Sequence, residues 1–412
     1  MALFAAVVAL PIGFYGCQSE MARWNFAHAR NLYDAGKTEE AIENGKKAIS
    51  KSPKDLRLKL ELSRWMMHNG KADEALPLIE EAVENAVPPT NAMMLKSDCL
   101  VHLGKPDEAL VNFKRVAEQL SQSELQSPGR LNGLAYYRSL AGAELDRALI
   151  DIENALADLS DVWVFAAEDI IPFEDQVHVA TAMVSRRVEK QSDVLPVVND
   201  RITRVLGLLD QVQKENSAAV YKQMEKTDDE EVAFSSEIEK QFKKRSAELS
   251  IIRRSLSVLL SVRALLYQDL GDQQNCIRDR QQVDELGGDA DQLLLSVPAD
   301  WQCLSVVSAG ASFIDTRGFV YAARKQYILA QQDFEIATLA AQVLNAAHDS
   351  EIFNSAMVDI RGDYNKRDSN RLEAVVLNHH CVVLDELGRK AEAAKNRARI
   401  RELGFEPGPH LF

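Results

Sequence analysis

The 412-residue chain lacks the short motifs by which many enzymes are recognised from sequence. It has no phosphate-cradling GxxxxGK[ST], no HExxH, no GxSxG and no glycine-rich dinucleotide fingerprint after a strand. Cysteines are few, and the five, at positions 17, 99, 276, 303 and 381, are too far apart for a CxxC redox or zinc pattern. We therefore predict that the protein is not an enzyme and binds no cofactor and no metal.

Positive charge is also in deficit. The chain has 48 Lys and Arg against 62 Asp and Glu, a formal net charge of −14. Nucleic-acid binding needs a concentrated basic surface, so no nucleic-acid partner is expected. Alternation of apolar and polar residues, the mark of strands, is missing as well. With 46% hydrophobic residues available for a core, the predicted fold class is all-α.

Charged side chains are absent from residues 1–19, where the run ALFAAVVALPIGFYGC is almost wholly apolar. About 20 apolar residues span a bilayer, so we predict a membrane anchor, and a start codon further upstream would fit this interpretation. A lipoprotein signal with lipid on Cys17 is the alternative, since Gly16 precedes it. A signal peptide is less favoured because no basic residue precedes the apolar run, and a buried hydrophobic helix also stays open.

Small residues recur at a fixed distance between residues 22 and 121. A spacing near 34 residues marks a helical solenoid. Glycine at this spacing can end one helix in the left-handed conformation, and alanine lets two helices approach closely. The residues are Gly36, Gly70 and Gly104, with Ala41, Ala75 and Ala109 five positions after them and Ala48 and Ala82 seven positions later again.

This pattern resembles the tetratricopeptide repeat family, which expects small residues at positions 8, 20 and 27, a large apolar residue at 11 and Gly near 15. With position 1 at Ala22, these places hold Ala29, Ala41, Ala48, Leu32 and Gly36. The resemblance implies a solenoid of helix pairs that binds proteins or peptides. We predict three regular repeats at 22–121, an irregular fourth at 129–160, and later repeats at 257–290, 311–344 and, with a C-terminal cap, 371–412. Lys325 replaces the usual turn Gly, and residues 359–370 are predicted as a polar loop.

The repeat spacing disappears between residues 161 and 256. Apolar residues there step by four and three, which is a heptad seam. We predict a long, coiled-coil-like helical insertion that projects as an arm. The acidic residues 224–234 favour a hairpin, but no Gly or Pro compels a turn, so one continuous helix stays open. The seam residues are Val198, Ile202, Val205, Leu209 and Val212, then Ile238, Phe242, Arg245, Leu249, Ile252 and Leu256.

The resemblance also implies which side chains face the concave groove, at positions 2, 5, 9, 12 and 13 of each first helix. They would form an apolar floor edged by basic residues, suited to a peptide with carboxylates. Alternatively, the apolar members only pack between helices and the arginines pair with nearby acids. The groove residues are Arg23, Phe26, Arg30, Tyr33, Arg57, Leu60, Arg64, Met67, His68, Met94 and His102. Phe26, Arg30 and Glu61 do not match the family's carboxylate clamp for chaperone C-termini.

His379, His380 and Cys381 are adjacent and raise the idea of a metal site. Consecutive helical residues are about 100° apart, so the three cannot converge on one ion, and a packing role is expected.

The predicted function is a non-enzymatic, membrane-tethered scaffold that binds protein or peptide partners in the groove. The stretch LNGLAYYRSL resembles repeats of bacterial envelope proteins, so the predicted location is the cell envelope, on either face of the membrane. The alternative is a structural or assembly protein that forms homo-oligomers through residues 198–256.

Overall fold

All regular structure described for this chain is helical. The computed structural model describes residues 20–119, 127–162, 171–224, 236–295, 300–350 and 366–408, and no strand occurs in these ranges. The all-α prediction is therefore confirmed for them. The predicted anchor at 1–19, including Cys17, lies outside the described residues. Within the described ranges, no helix combines the length and the apolar character needed to cross a bilayer.

Four helix pairs open the described chain. They are α1 (20–34) and α2 (Thr38–Lys51), α3 (Leu56–His68) and α4 (Ala72–Asn85), α5 (Thr90–His102) and α6 (Pro106–Gln119), and α7 (Pro128–Leu140) and α8 (Leu145–Val162). From α2 to α6 each helix packs on the next one along the chain, and α7 continues the stack between α6 and α8. This neighbour-on-neighbour packing is that of a solenoid.

The turns inside the pairs share one geometry. Gly36, Gly70 and Gly104 have φ values of 80°, 70° and 71°, and the next residue donates its N–H to a carbonyl five positions back, as Lys37 does to Leu32 at 2.9 Å. This is a Schellman motif. Lys325 adopts the same left-handed conformation at φ 61°, so the turn persists where Gly is replaced.

The repeated alanines lie where two helices meet. Ala41, Ala48, Ala75, Ala82 and Ala109 are fully buried. A methyl side chain lets the backbones approach closely, and larger apolar residues of the first two repeats fill the space beside them, including Ile42, Leu62 and Ile79.

The remaining helices follow the same chain order. They are α9 (Phe173–Arg187), α10 (Gln191–Met224), α11 (Ser236–Asp269), α12 (Gln273–Glu285), α13 (Ala290–Leu295), α14 (Asp300–Ala323), α15 (Tyr327–His348), α16 (Lys366–Glu386) and α17 (Lys390–Glu402). The last four form a second stack, with α14 on α15, α15 on α16 and α16 on α17.

Helix α9 corrects the prediction that 161–256 is a projecting arm. It packs against α8, α10, α11, α14 and α15, and polar as well as apolar side chains on it are buried, among them Phe173, Gln176, Val177 and His178. The Gln176 amide donates to the Ile171 carbonyl at 2.8 Å. A helix that is covered on every side has no solvent-facing side. Its sequence therefore does not alternate between an apolar and a polar face with the helical period.

Helices α10 and α11, each 34 residues long, pack side by side, which one continuous helix would not allow. Arg263, late in α11, donates to the Asn199 side chain, early in α10, at 2.9 Å, as in an antiparallel pair. Val198, Ile202 and Leu256 are buried in the main core. The base of the pair is therefore part of that core. The structure does not describe residues 225–235 or the side chains of 236–242, which include the predicted seam residues Ile238 and Phe242.

Candidate functional site

The inner surface is built from the first helices of successive pairs. Arg30 of α1 contacts Glu61 of α3, with Nη2 2.8 Å from Oε1. The Tyr33 hydroxyl lies 2.6 Å from Nδ1 of His68, and the Tyr137 hydroxyl of α7 donates to Asp98 of α5. Predicted groove positions on neighbouring helices are thus brought together.

The predicted apolar floor needs correction. Phe26 and Tyr33 stack on Trp65 with ring centroids 5.0 and 5.2 Å apart. Phe26, Tyr33 and Met67 are only 7%, 7% and 3% exposed. These side chains fill the space between helices, because an aromatic ring next to Trp65 gains more from burial than from facing water. Leu60 and Met94 are half-buried and keep some accessible surface.

The basic residues fall into two groups. Arg30 is paired with Glu61, as the alternative interpretation had it. Arg23, Arg57 and Arg64 are exposed, and they edge the surface with positive charge. His68 and His102 are half-buried.

A second set of residues on the inner surface comes from α16, far away in sequence. The Arg367 guanidinium donates to the Tyr33 carbonyl at 2.7 Å and to the Thr38 hydroxyl at 2.8 Å. Its carbon lies over the Tyr33 ring, 4.2 Å from the centroid. Arg367 lies in the stretch predicted as a loop, so nothing in the local pattern indicated this contact.

Arg371, one helical turn after Arg367, is half-buried at the inner surface. Burial lowers the pKa of Arg371, while the nearby Tyr33, Asp98 and Tyr136 favour its charged form. Burial also lowers the pKa of His68 well below its usual value, and the positive charge of Arg371 adds to this effect. Burial raises the pKa of Asp98, against the hydrogen bond from Tyr137.

The three adjacent residues of α16 have separate surroundings. His379 Nδ1 lies 3.0 Å from both carboxylate oxygens of Asp315. His380 lies 3.4 Å from the Thr338 hydroxyl, and the Cys381 thiol donates to a backbone carbonyl. The packing role expected for them fits these contacts. No group of three or more His, Cys, Asp or Glu side chains in the described ranges is placed to hold a metal ion.

A separate cleft lies where α16 meets α15 and α17. Its volume is about 310 Å³, and Lys190, Asn345, Lys366 and Arg399 are among its lining residues. The fully buried Glu373 accepts hydrogen bonds from Asn345 and Arg399 beside it. These hydrogen bonds hold α16 against its neighbours, so the polar side chains around the cleft have a structural role.

Residues 32–99, from α1 to α5, match the family profile of the tetratricopeptide repeat. This segment of the chain thus has the sequence pattern of tetratricopeptide repeats, and interaction with other proteins is the function that such repeats suggest. No curated protein matches it by sequence.

Three similar solved structures have low identities. A tetratricopeptide repeat protein from Parabacteroides merdae is 15% identical, with 79% of this chain and 98% of that one covered and a TM-score of 0.30. Yeast Tom70 is 12% identical, with coverages of 93% and 76% and a TM-score of 0.26. The structure of Naa15/Naa10 bound to HypK-THB is 12% identical, with coverages of 98% and 67% and a TM-score of 0.29. These values are too low to transfer a partner or an activity.

Proposed function

We propose that this protein is a non-enzymatic scaffold that binds a protein or peptide partner on the inner surface of its N-terminal repeats. The observation that carries the proposal is the accessible arginine edge on the first helices, formed by Arg23, Arg57 and Arg64. A guanidinium can bind a carboxylate through two parallel hydrogen bonds. The partner segment therefore carries Asp or Glu side chains that face this edge.

The test reverses two of these charges. In a chain with Arg57→Glu and Arg64→Glu, recovery of the partner by affinity purification is expected to fall by roughly tenfold or more, because like charges then face each other. Arg30 is left intact, since its pairing with Glu61 makes it a structural residue. Co-purified proteins would be quantified by mass spectrometry.

The matched control carries Lys47→Glu and Arg115→Glu. Both residues are exposed and lie on the second helices of their pairs, α2 and α6. The control changes the net charge equally but leaves the inner surface alone, so partner recovery should be unchanged. Equal recovery by the two variants would count against the inner surface as the binding site.

Tethering to a bacterial envelope membrane through residues 1–19 is part of the proposal. Besides the apolar run, the side chains of Met21 and Trp24, just after it, are 48% and 71% exposed. Exposed Trp is favoured at membrane interfaces. Deletion of residues 1–19 is expected to move the protein from the membrane pellet to the supernatant, and a pellet that retains it would contradict the tether.

Self-association is a second candidate function. Leu206 and Leu208 of α10 and Ile251 of α11 are 45%, 45% and 44% exposed, which is more apolar exposure than a solvated pair needs. Removing 198–256 would remove core residues too, so the better test is Leu206→Glu with Leu208→Glu and Ile251→Glu. If self-association occurs there, light scattering should show a lower mass than for the unchanged chain. An equal mass would dismiss this candidate.

A further inference from the structure

The contact between Arg367 and α1 has the features of a guanidinium-binding site. One nitrogen donates to the Tyr33 carbonyl at 2.7 Å and another to the Thr38 hydroxyl at 2.8 Å. The Tyr33 ring lies face-on at 4.2 Å. Two oriented acceptors and an aromatic face satisfy a planar cation better than they would satisfy a lysine ammonium.

The location favours a cation for a second reason. Tyr33 lies at the C-terminal end of α1, where backbone carbonyls carry partial negative charge. Gly36, in the left-handed turn that ends α1, leaves room for Arg367, because a Cβ built there would lie 3.9 Å from its Nη1. Arg367 and Arg30 also favour the charged form of nearby Asp34, against the burial that raises its pKa.

The two sides of the contact are held with different strength. Helix α16 is fastened to α15 and α17 through the buried Glu373, and Lys366 donates to the Asn345 carbonyl and to Asp349, both at 2.7 Å. Toward α1, the hydrogen bonds of Arg367 go to uncharged acceptors. When the contact breaks, α1 and α2 at the start of the N-terminal repeats are therefore the part that moves, because α7 and α8 at the other end pack on α14 and α16 stays on the second stack.

Closing the contact also has a cost. Arg371 follows Arg367 onto the inner surface and is half-buried there, and partial burial of a charge opposes closure. The closed state is thus a balance between the guanidinium contacts of Arg367 and the desolvation of Arg371. Such a balance can be shifted by a competing ligand.

We propose that the end of α1, with Tyr33, Thr38 and Asp34, is an arginine-binding site that Arg367 occupies in the isolated chain and that an arginine of the protein partner occupies in the complex. Helix α16 then acts as an internal competitor that closes the inner surface. This inference rests on the proposed function and specifies its partner further. The partner segment combines arginine with acidic residues, as the chain's own stretch KRDSNRLE, residues 366–373, already does.

The test measures opening and peptide binding in the full-length chain. Dyes are placed on Lys47→Cys in α2 and Lys395→Cys in α17, both exposed positions, in a Cys17→Ser background. Four further cysteines are buried and are not in disulfides, so they should label poorly: Cys99, Cys276, Cys303 and Cys381. Adding Arg367→Ala with Arg371→Ala is expected to lower energy transfer, because the α1 end of the N-terminal repeats moves away from α16.

The probe is the capped peptide of residues 366–374, and its control has glutamine at both arginine positions. If the competent open state is about 10% populated in the parent chain, the double variant should bind the peptide about tenfold tighter. The control peptide should not bind. Tyr33→Leu or Thr38→Val added to the double variant should weaken binding.

Three outcomes would overturn the proposal. Unchanged energy transfer in the double variant would show that Arg367 does not close the surface. Opening without preference for the arginine peptide would show that the site does not recognise arginine. The charge-matched control is Arg389→Ala with Arg401→Ala; both residues lie on or beside α17 and pair with exposed acidic side chains. If this control lost the same amount of energy transfer, the effect of the double variant would be nonspecific. None of these results bears on the Arg57 and Arg64 purification, so each proposal can fail alone.

Discussion

Replacement of Arg317 by methionine is expected to destabilise the fold by about 3–5 kcal/mol, the cost of removing one partner from a buried ion pair. Arg317 of α14 makes two hydrogen bonds to Asp333 of α15, at 2.6 and 2.8 Å, and one to Glu174 of α9 at 3.1 Å. The side chains of Arg317 and Asp333 are only 15% and 5% exposed. One guanidinium therefore links three helices of the main core.

The remaining charges in this cluster explain the size of the expected effect. Arg201 of α10 contacts Glu174 at 2.7 Å and Asp175 at 2.6 Å. Burial disfavours the charge of Glu174, but Arg317 and Arg201 outweigh it and lower the pKa of Glu174. Without Arg317, Asp333 would lose both of its guanidinium hydrogen bonds, and Glu174 would keep only its contact with Arg201. Burial already raises the pKa of Asp333, and the charge of Arg317 counteracts part of this effect. Methionine at position 317 would remove that counteracting charge.

Arg324→Met is the matched control. Arg324 pairs with Asp146 at 2.8 Å, but that Asp side chain is 92% exposed. An exposed pair contributes between 0 and about 1 kcal/mol, so the free energy of unfolding should change little. Urea denaturation followed by circular dichroism would compare the midpoints. A midpoint for Arg317→Met as close to the parent as that of Arg324→Met would contradict the role given to the cluster.

Gly310→Ala is expected to destabilise the protein by about 1–3 kcal/mol, the usual effect of overpacking a core. Gly310 lies in α14 where that helix crosses α9. A Cβ at this position would lie 2.5 Å from both γ carbons of Val177, and Val177 is fully buried. Backbone or side chain must shift, although Ala is by itself the better helix former.

Gly207→Ala is the comparison for which we expect an increase in stability. Gly207 is an exposed residue of α10, and a Cβ there would meet nothing within 4 Å. The helix propensity of Ala should therefore act alone and raise stability by up to about 1 kcal/mol. Thermal unfolding of both variants would show the signs. Val177→Ala added to Gly310→Ala should recover part of the loss, since the clashing γ carbons are gone; two additive losses would argue against this contact.

The repeats could be predicted from sequence because their signals are local. A turn at Gly36 and a close helix contact at Ala41 each depend on a few neighbouring residues, and the 34-residue spacing then repeats them. The same logic placed Tyr33 and His68 side by side across two helices. It could not tell whether Tyr33 would face a partner or fill a gap, because that depends on Trp65 of the next repeat.

The features that were missed depend on the path of the whole chain. Helix α9 has polar residues such as Gln176 and His178 that suggest a surface, yet five helices cover it. Arg367 approaches Tyr33 across 334 residues of chain, so the contact depends on the path of every helix between them. No short window of sequence contains that information, and the polar first residues of α16, 366–370, are therefore predicted as part of a loop.

The Arg367 contact also sets an order of events during synthesis. Tyr33 and Arg367 are 334 residues apart in the chain. Translation at about 5–20 residues per second needs roughly 20–70 s to cover that distance. During this interval the N-terminal repeats can already be folded, with the end of α1 uncovered. A nascent chain therefore offers its inner surface to a partner before its own competitor exists, so complexes could form during synthesis without any need to displace α16.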